Sequence, residues 1–233
     1  MSPEARRVLI TGSNRGLGRA IAEAFLGRGD RVASLNRTLD GDVRLGEVAC
    51  DLAAPEGVPA AVREATTRLG ALDVCVLNAA VRRLAPVEGM SDEDWDASVA
   101  TNLTSAFRVA REAIPALVAS GGQFVVIGSH ATRHPFESGA AYCSTKAAVE
   151  AFARVLALEL RPQGIRVTLI SPGAIRNRPM GEADAHKIEP ASLAQLIVQC
   201  VEAPADLIVG ELDVRPAQPV ASPLTGIARL QPC

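Results

Sequence analysis

The sequence predicts an α/β protein, a doubly wound parallel sheet of about seven strands with helices on both faces. Three observations point there. Short apolar runs alternate with longer amphipathic segments along nearly the whole chain. The first of these runs leads into a glycine-rich turn that opens a helical pattern. The chain is 48% hydrophobic yet only 3% aromatic, so its core is made of Ala, Val, Leu and Ile, which suit strands buried on both sides.

Taken in order, residues 7–10 (Arg-Val-Leu-Ile) form the first strand, and Ala20, Ile21, Ala24, Phe25 and Leu26 mark the apolar face of the helix that follows. Residues 31–36 and 47–50 are the second and third strands, and 58–69 is a helix. A fourth strand at 74–77 precedes a long helix over 95–118, and a fifth at 123–127 precedes a helix over 141–160. After the sixth strand, 166–170, Pro190 opens another helix, a position where a missing N–H costs nothing. Residues 212–216 suggest the last strand. Apart from two mononucleotide-sized halves there is no internal repeat, and no long linker. The expectation is a single domain over 1–233, with a core of 6–216 and an irregular Pro-rich tail over 217–233.

Composition narrows the function. A formal net charge of −2 argues against a general nucleic-acid or acidic-membrane surface. No apolar stretch approaches membrane-span length and no charged-then-apolar leader precedes the first strand, so the cytoplasm is the expected compartment. Five scattered cysteines (Cys50, Cys75, Cys143, Cys200, Cys233) do not form a disulfide framework, and Cys50 and Cys75 read as buried small hydrophobes. The three histidines have no metal-ligand spacing, and no metal is expected.

Two local patterns carry chemistry. Strand, glycine turn (Gly12, Gly16, Gly18) and helix, in that order, are the context of a dinucleotide site. Gly12 permits the tight turn, Gly16 a close backbone approach to pyrophosphate, and Gly18 close packing of helix on strand, with the helix N-terminus facing the anion. Farther on, Tyr142 and Lys146 lie four residues apart, one turn apart on one helical face. A phenol that normally titrates near pH ~10 becomes a better proton donor beside an ammonium in a shielded cleft. Such a pair alone is common on ordinary solvated helices.

Together, Thr11-Gly-x-x-x-Gly16-x-Gly18, Asn78-Ala79-Ala80, Asn102, Ser129, Tyr142-x-x-x-Lys146 and Pro172-Gly173 resemble the ordered motifs of the short-chain dehydrogenase/reductase family. The match runs from about Val8 to about Pro216, and it implies a Rossmann-type fold and a carbonyl or alcohol substrate. By this resemblance Tyr142 is the acid and base. Lys146 lowers its pKa and bonds the nicotinamide ribose, Ser129 polarises the reacting oxygen, and Asn102 holds a relay water. The cofactor would meet Gly12, Ser13, Asn14, Arg15, Gly16, Leu17 and Gly18, then Asn78, Ala79 and Ala80, then Pro172, Gly173, Ile175 and Asn177. Asp51-Leu52 resembles the adenine-contacting pair, with a plain strand-end cap as the alternative. Ala80 stands where glycine is frequent, leaving the Asn78 side chain available, and Asn177 stands where a threonine commonly bonds the carboxamide.

At the end of the second strand an acid would bond the ribose of NAD, but this chain has Asn36-Arg37, and Arg15 is a second cation within reach. NADP(H) is therefore expected, unless Asp40 or Asp42 takes the acid's place. The short stretch between Asn177 and Pro190 implies an abbreviated lid and an open cleft, and the ending from Glu211 to Pro216 resembles the NADP-dependent 3-hydroxy acid dehydrogenase subgroup. Arg82, Arg83, His130, Arg133 and His134 fall on loops at strand carboxyl ends, which suggests an anionic substrate or else solvated cations. Competing readings are an NADP-dependent epimerase or dehydratase, and a non-catalytic dinucleotide sensor. A homodimer or homotetramer is expected, because segments 106–117 and 149–160 carry more apolar positions than one stripe needs.

Overall fold

The computed structural model describes residues 5–54, 56–176 and 186–218. Seven strands, β1 (Arg7–Thr11), β2 (Arg31–Asn36), β3 (Leu45–Ala49), β4 (Val74–Leu77), β5 (Gln123–Ile127), β6 (Arg166–Pro172) and β7 (Glu211–Val214), form one sheet in the order β3-β2-β1-β4-β5-β6-β7. Every adjacent pair is parallel. The chain winds outward in one direction from β1 through β2 and β3, and in the other from β4 through β7. The order reverses between β1 and β4, where a crevice opens at the carboxyl ends of the strands.

The alternation of side chains along β1 shows why both faces must be covered. Val8 and Ile10 enter one core with Ile21 and Phe25 of α1 (Gly16–Leu26) and Ile197 of α6 (Pro190–Val201). Leu9 enters the other, with Val62 of α2 (Gly57–Leu69), Val109 of α4 (Ser105–Ser120) and Val149 of α5 (Ala140–Leu160). All three β1 residues are fully buried, which accounts for an unbroken apolar run in place of an alternating one.

Three expectations about elements need correction. The third strand begins at Leu45 and ends at Ala49, and the last runs from Glu211 to Val214. The long helix expected over 95–118 is two helices, α3 (Asp92–Ser98) and α4, joined by a π-helical turn over Val99–Thr104. Ser91 caps α3 by accepting from the Asp94 N–H at 3.1 Å, and three acids in the first turn suit the positive helix end. The π turn rotates Asn102 into the interior, where it is 2% exposed. Cys50, Cys75 and Cys200 are buried free thiols, and burial raises each thiol pKa. Among the described residues no His, Cys, Asp and Glu group could hold a metal ion, and no helix is long and apolar enough to cross a membrane. Cys233 and nearly all of the tail, 219–233, lie outside the described residues.

Candidate active site

The glycine turn joins β1 to α1 in the crevice. Gly12 and Gly16 adopt φ of +70° and +57°, the left-handed region where a side chain is strained. A Cβ on Gly18 would run into the Gly12 carbonyl oxygen, so helix and strand approach as closely as the sequence implied. The turn is braced from behind. Thr11 Oγ1 accepts from the N–H groups of Asn78 and Ala79, both at 3.0 Å, and Asn78 Nδ2 donates to the carbonyls of Thr11 and Gly12 at 2.9 and 3.0 Å. The amide nitrogen of the Asn78 side chain is thus engaged in holding the turn, a use the sequence reading did not foresee. Thr11, read there only as part of the motif, earns a place beside it as the residue that ties β1 to the end of β4.

This turn fits a nucleotide's phosphates. The α1 N-terminus has no side-chain cap and no acid in its first turn, and Arg15 at the cap position is extended. The Ser13 hydroxyl is buried there without a hydrogen-bond partner. Unpaired N–H groups, a positive helix end and an orphaned hydroxyl suit a pyrophosphate. Asn14 donates to the Thr38 carbonyl at 3.4 Å, and Leu17 is buried under the turn.

Asn36 also differs from its expected role. Its Oδ1 accepts from the Ser13 N–H at 2.9 Å, and its Nδ2 donates to Ser34 Oγ at 3.2 Å and Glu47 Oε1 at 3.0 Å. It shapes the turn from inside, being 2% exposed. Glu47, read from the sequence only as part of the third strand, also accepts from the N–H groups of Asp40 and Gly41 at 3.2 and 2.8 Å, gathering the loop after β2. The Arg15 and Arg37 side chains are exposed and have no hydrogen bond or ion pair among the described residues. Asp42 is already bonded to Arg19 and Arg44, both at 2.6 Å, and those contacts hold its carboxyl well below the usual range. Asp51 Oδ1 accepts from the Ala53 N–H at 3.0 Å as a strand-end cap, and Leu52 packs into the core.

The candidate reacting groups come together from the end of β5 and from α5. Tyr142 Oη donates to Ser129 Oγ at 3.4 Å, and Ser129 Oγ also accepts from the Ala131 N–H at 3.2 Å. With two donors on its oxygen, the Ser129 hydroxyl keeps its own proton for another acceptor. Lys146 is 4% exposed and donates to the Ile127 carbonyl at 2.7 Å. Burial lowers its pKa to about 8, with Glu150 opposing the shift. Burial raises the Tyr142 pKa, and the Ser129 hydrogen bond and the charge of Arg82 oppose it. The Arg82 guanidinium lies 5.9 Å from the Tyr142 ring centroid, and the Lys146 ammonium donates to a backbone carbonyl.

Asn102 donates to the Val81 carbonyl and to Thr145 Oγ1, both at 3.0 Å, and accepts from the Val81 N–H at 2.7 Å. Both its donors are occupied and one acceptor lone pair is left, and Asn102 lines a small cavity with Thr11, Ile127 and Lys146. Glu150 is 3% exposed and accepts from Ser171 Oγ at 2.6 Å and from the Ser129 N–H at 3.4 Å. Its signal was present in the sequence: residues 142, 146 and 150 follow one another at helical spacing.

The other loop cations are largely occupied. Arg83 lies 3.4 Å from Asp94, and Arg133 is bonded to Asp213 at 3.1 Å. His130 is buried 3.9 Å from Asp213 with Nε2 unbonded, its pKa pushed down by burial, and its ring lies 4.2 Å from that of His134. Gly173 donates to the Val214 carbonyl at 2.8 Å next to Pro172 at the end of β6, and Ile175 bridges to Ile188. Ala80 is exposed on the loop after Asn78. Asn177, and with it most of the expected short lid, lies outside the described residues.

Comparison with known proteins agrees with this geometry. A family model described as short chain dehydrogenase matches residues 6–189. D-threitol dehydrogenase of Mycolicibacterium smegmatis is 33% identical over 184 residues, 74% of this chain and 71% of that one. L-xylulose reductase of Bos taurus is 36% identical over 187 residues, 76% of this chain and 75% of that one. The X-ray structure of an alcohol dehydrogenase from the archaeon Thermococcus sibiricus, complexed with 5-hydroxy-NADP, superposes with a TM-score of 0.85 at 26% identity, covering 92% of this chain and 97% of that one.

Proposed function

The chain belongs to the short-chain dehydrogenase/reductase family, and on that premise we propose that it interconverts a carbonyl and an alcohol with NADP(H), with Tyr142 as acid and base and an anionic substrate. Members of the family are oxidoreductases of alcohol and carbonyl groups that use a nicotinamide dinucleotide, and this chain is one of them. The observation that carries the mechanism is the contact of Tyr142 with Ser129, in which the serine proton stays unclaimed. In the reductive direction Ser129 donates a hydrogen bond to the substrate oxygen and Tyr142 gives that oxygen its proton. Bound NADPH would supply the hydride taken up by the carbonyl carbon and leave as NADP+. Lys146, buried beside the site, holds a positive charge near the phenol and the ribose, and Asn102 lines the cavity through which a proton can be returned.

The preference for NADP(H) is supported by Arg15 and Arg37, two exposed cations whose side chains have no hydrogen bond or ion pair among the described residues, and by Asp42, whose carboxylate is already bonded to two arginines. A charge-assisted contact is worth about 1.5–3 kcal/mol, enough for roughly ten- to hundredfold discrimination. The relative solved with 5-hydroxy-NADP lends further support. The cytoplasm and a homodimer or homotetramer complete the reading.

A second substrate reading, a neutral polyol or ketose, is favoured by the names of the two relatives. Initial rates with oxo acids, hydroxy acids, their esters and neutral polyols, each with NADPH or NADH (or their oxidised forms), decide between them. Acids turned over faster than esters and polyols support the anionic reading. Faster polyols overturn it. An enzyme that bound NADH more tightly than NADPH would refute the cofactor reading.

A further inference from the structure

Of the basic side chains expected around the cleft, one stands apart. Arg83 is near Asp94, Arg133 is bonded to Asp213, and His130 and His134 lie ring against ring. Arg82 has no hydrogen bond or ion pair among the described residues. Its guanidinium lies over two aromatic rings instead, 5.1 Å from the Phe136 centroid and 5.9 Å from that of Tyr142. Contacts to ring faces hold a guanidinium in place while leaving its N–H donors unused.

The backbone carrying Arg82 is fixed on both sides. Val81 is bonded through its N–H and its carbonyl to the Asn102 side chain, at 2.7 and 3.0 Å. Ala85 donates to the Ser138 carbonyl at 3.1 Å and pairs with Gly139 in an isolated bridge. A short strap pinned at 81 and at 85 thus presents an exposed cation beside the reacting phenol.

We propose that Arg82 is the carboxylate-binding residue of the active site and that the substrate is a short oxo or hydroxy acid. The acid's carboxylate pairs with Arg82 while its carbonyl or hydroxyl oxygen meets Tyr142 and Ser129. The proposal rests on the carbonyl–alcohol reading above and deepens it. A planar guanidinium with free donors suits a carboxylate, which it can grip through two parallel hydrogen bonds. Because the guanidinium and the Tyr142 ring are in contact, the carboxylate and the reacting carbon can be separated by only a few bonds. The Arg82 charge also opposes the burial that raises the Tyr142 pKa, so one side chain serves binding and proton transfer. Arg83 and Arg133, neutralised by carboxylates, have no such role.

The test is calorimetric titration of NADP+-saturated protein with 2-oxobutanoate, 3-oxobutanoate and 4-oxopentanoate, each against its methyl ester. With oxidised cofactor no carbonyl can be reduced, so binding is read alone. At least one acid should bind about tenfold to hundredfold more tightly than its ester, nearer the lower figure because Arg82 is exposed. R82Q should erase that gap, R82K should restore part of it, and R83Q should leave it intact. If no acid outbinds its ester in the wild-type protein, or if R82Q keeps the gap, the proposal is overturned. NADPH oxidation with the same compounds is read separately. Turnover that is indifferent to Arg82 removes the anchor and keeps the oxidoreductase reading, whereas Arg82-dependent binding with no turnover does the reverse.

Discussion

At the scale of single residues, the site balances burial against a few specific contacts. Tyr142 keeps its proton because burial disfavours the phenolate, while the Ser129 bond and the Arg82 charge favour its release. Tyr142→Phe keeps the ring that packs near Phe136 and removes only the transferable proton. Turnover should fall by about 10²–10⁴, with NADPH affinity roughly unchanged, in steady-state kinetics and fluorescence titration. A variant that retained most of the rate would exclude Tyr142 as the acid. Arg37→Asp should weaken NADPH binding by roughly one to two orders of magnitude and spare NADH, measured by the same titration. Lys146 gives a pH signature in stability. Its folded-state pKa of about 8 lies below the ordinary 10.5, so between these values the unfolded state binds more protons and stability rises with pH. Urea denaturation at pH 7.5 and 9.5 should show the wild type gaining on the order of 1 kcal/mol relative to Lys146→Met. The opposite sign would mean that the ammonium is not desolvated in the folded protein.

At the scale of elements, the joint between α3 and α4 links the fold to the chemistry. An uninterrupted helix would carry Asn102 past Val81, and the π turn instead aims the amide inward, where it pins the strap bearing Arg82. Asn102→Ala leaves the Val81 N–H and carbonyl without their partner, and should cost about 1–3 kcal/mol of stability in chemical denaturation. The outer faces of α4 and α5 show the opposite situation, with apolar groups left exposed among the described residues. Phe107 packs edge-on against Phe152 yet remains 45% exposed, and Leu158 is 74% exposed, with Val118 and Val155 also open to solvent. These helices are expected to meet their copies in a dimer or tetramer. Light scattering at micromolar concentration should give a multiple of the 24.3 kDa chain mass, and Leu158→Asp should reduce it while preserving the helical circular dichroism. A monomeric wild type would reject this assembly.

At the scale of the whole molecule, the crevice between β1 and β4 couples cofactor binding to folding. NADPH at a hundredfold excess over its Kd should stabilise the folded state by about 2.7 kcal/mol. In a thermal melt that is a rise of several degrees, larger than the rise produced by NADH at the same concentration. What the sequence by itself determined was the alternation of strands and helices, the parallel sheet, the glycine turn, and the shared helical face of Tyr142 and Lys146. These were legible because each depends on local spacing: apolar runs, positive-φ glycines between a strand and a helix, and a four-residue helical step. Only the tertiary structure decided that Asn36 and Asn78 brace the turn, that Glu47 gathers the loop after β2, and that Glu150 sits behind Ser129. It also decided, among the loop arginines, which were neutralised. Arg83 and Arg133 met carboxylates, and Arg82 met two aromatic rings. Spacing along the chain fixes which residues share a helix or strand face. A side chain's charge partners and hydrogen bonds come from segments brought together only when the sheet assembles, some of them tens of residues away along the chain.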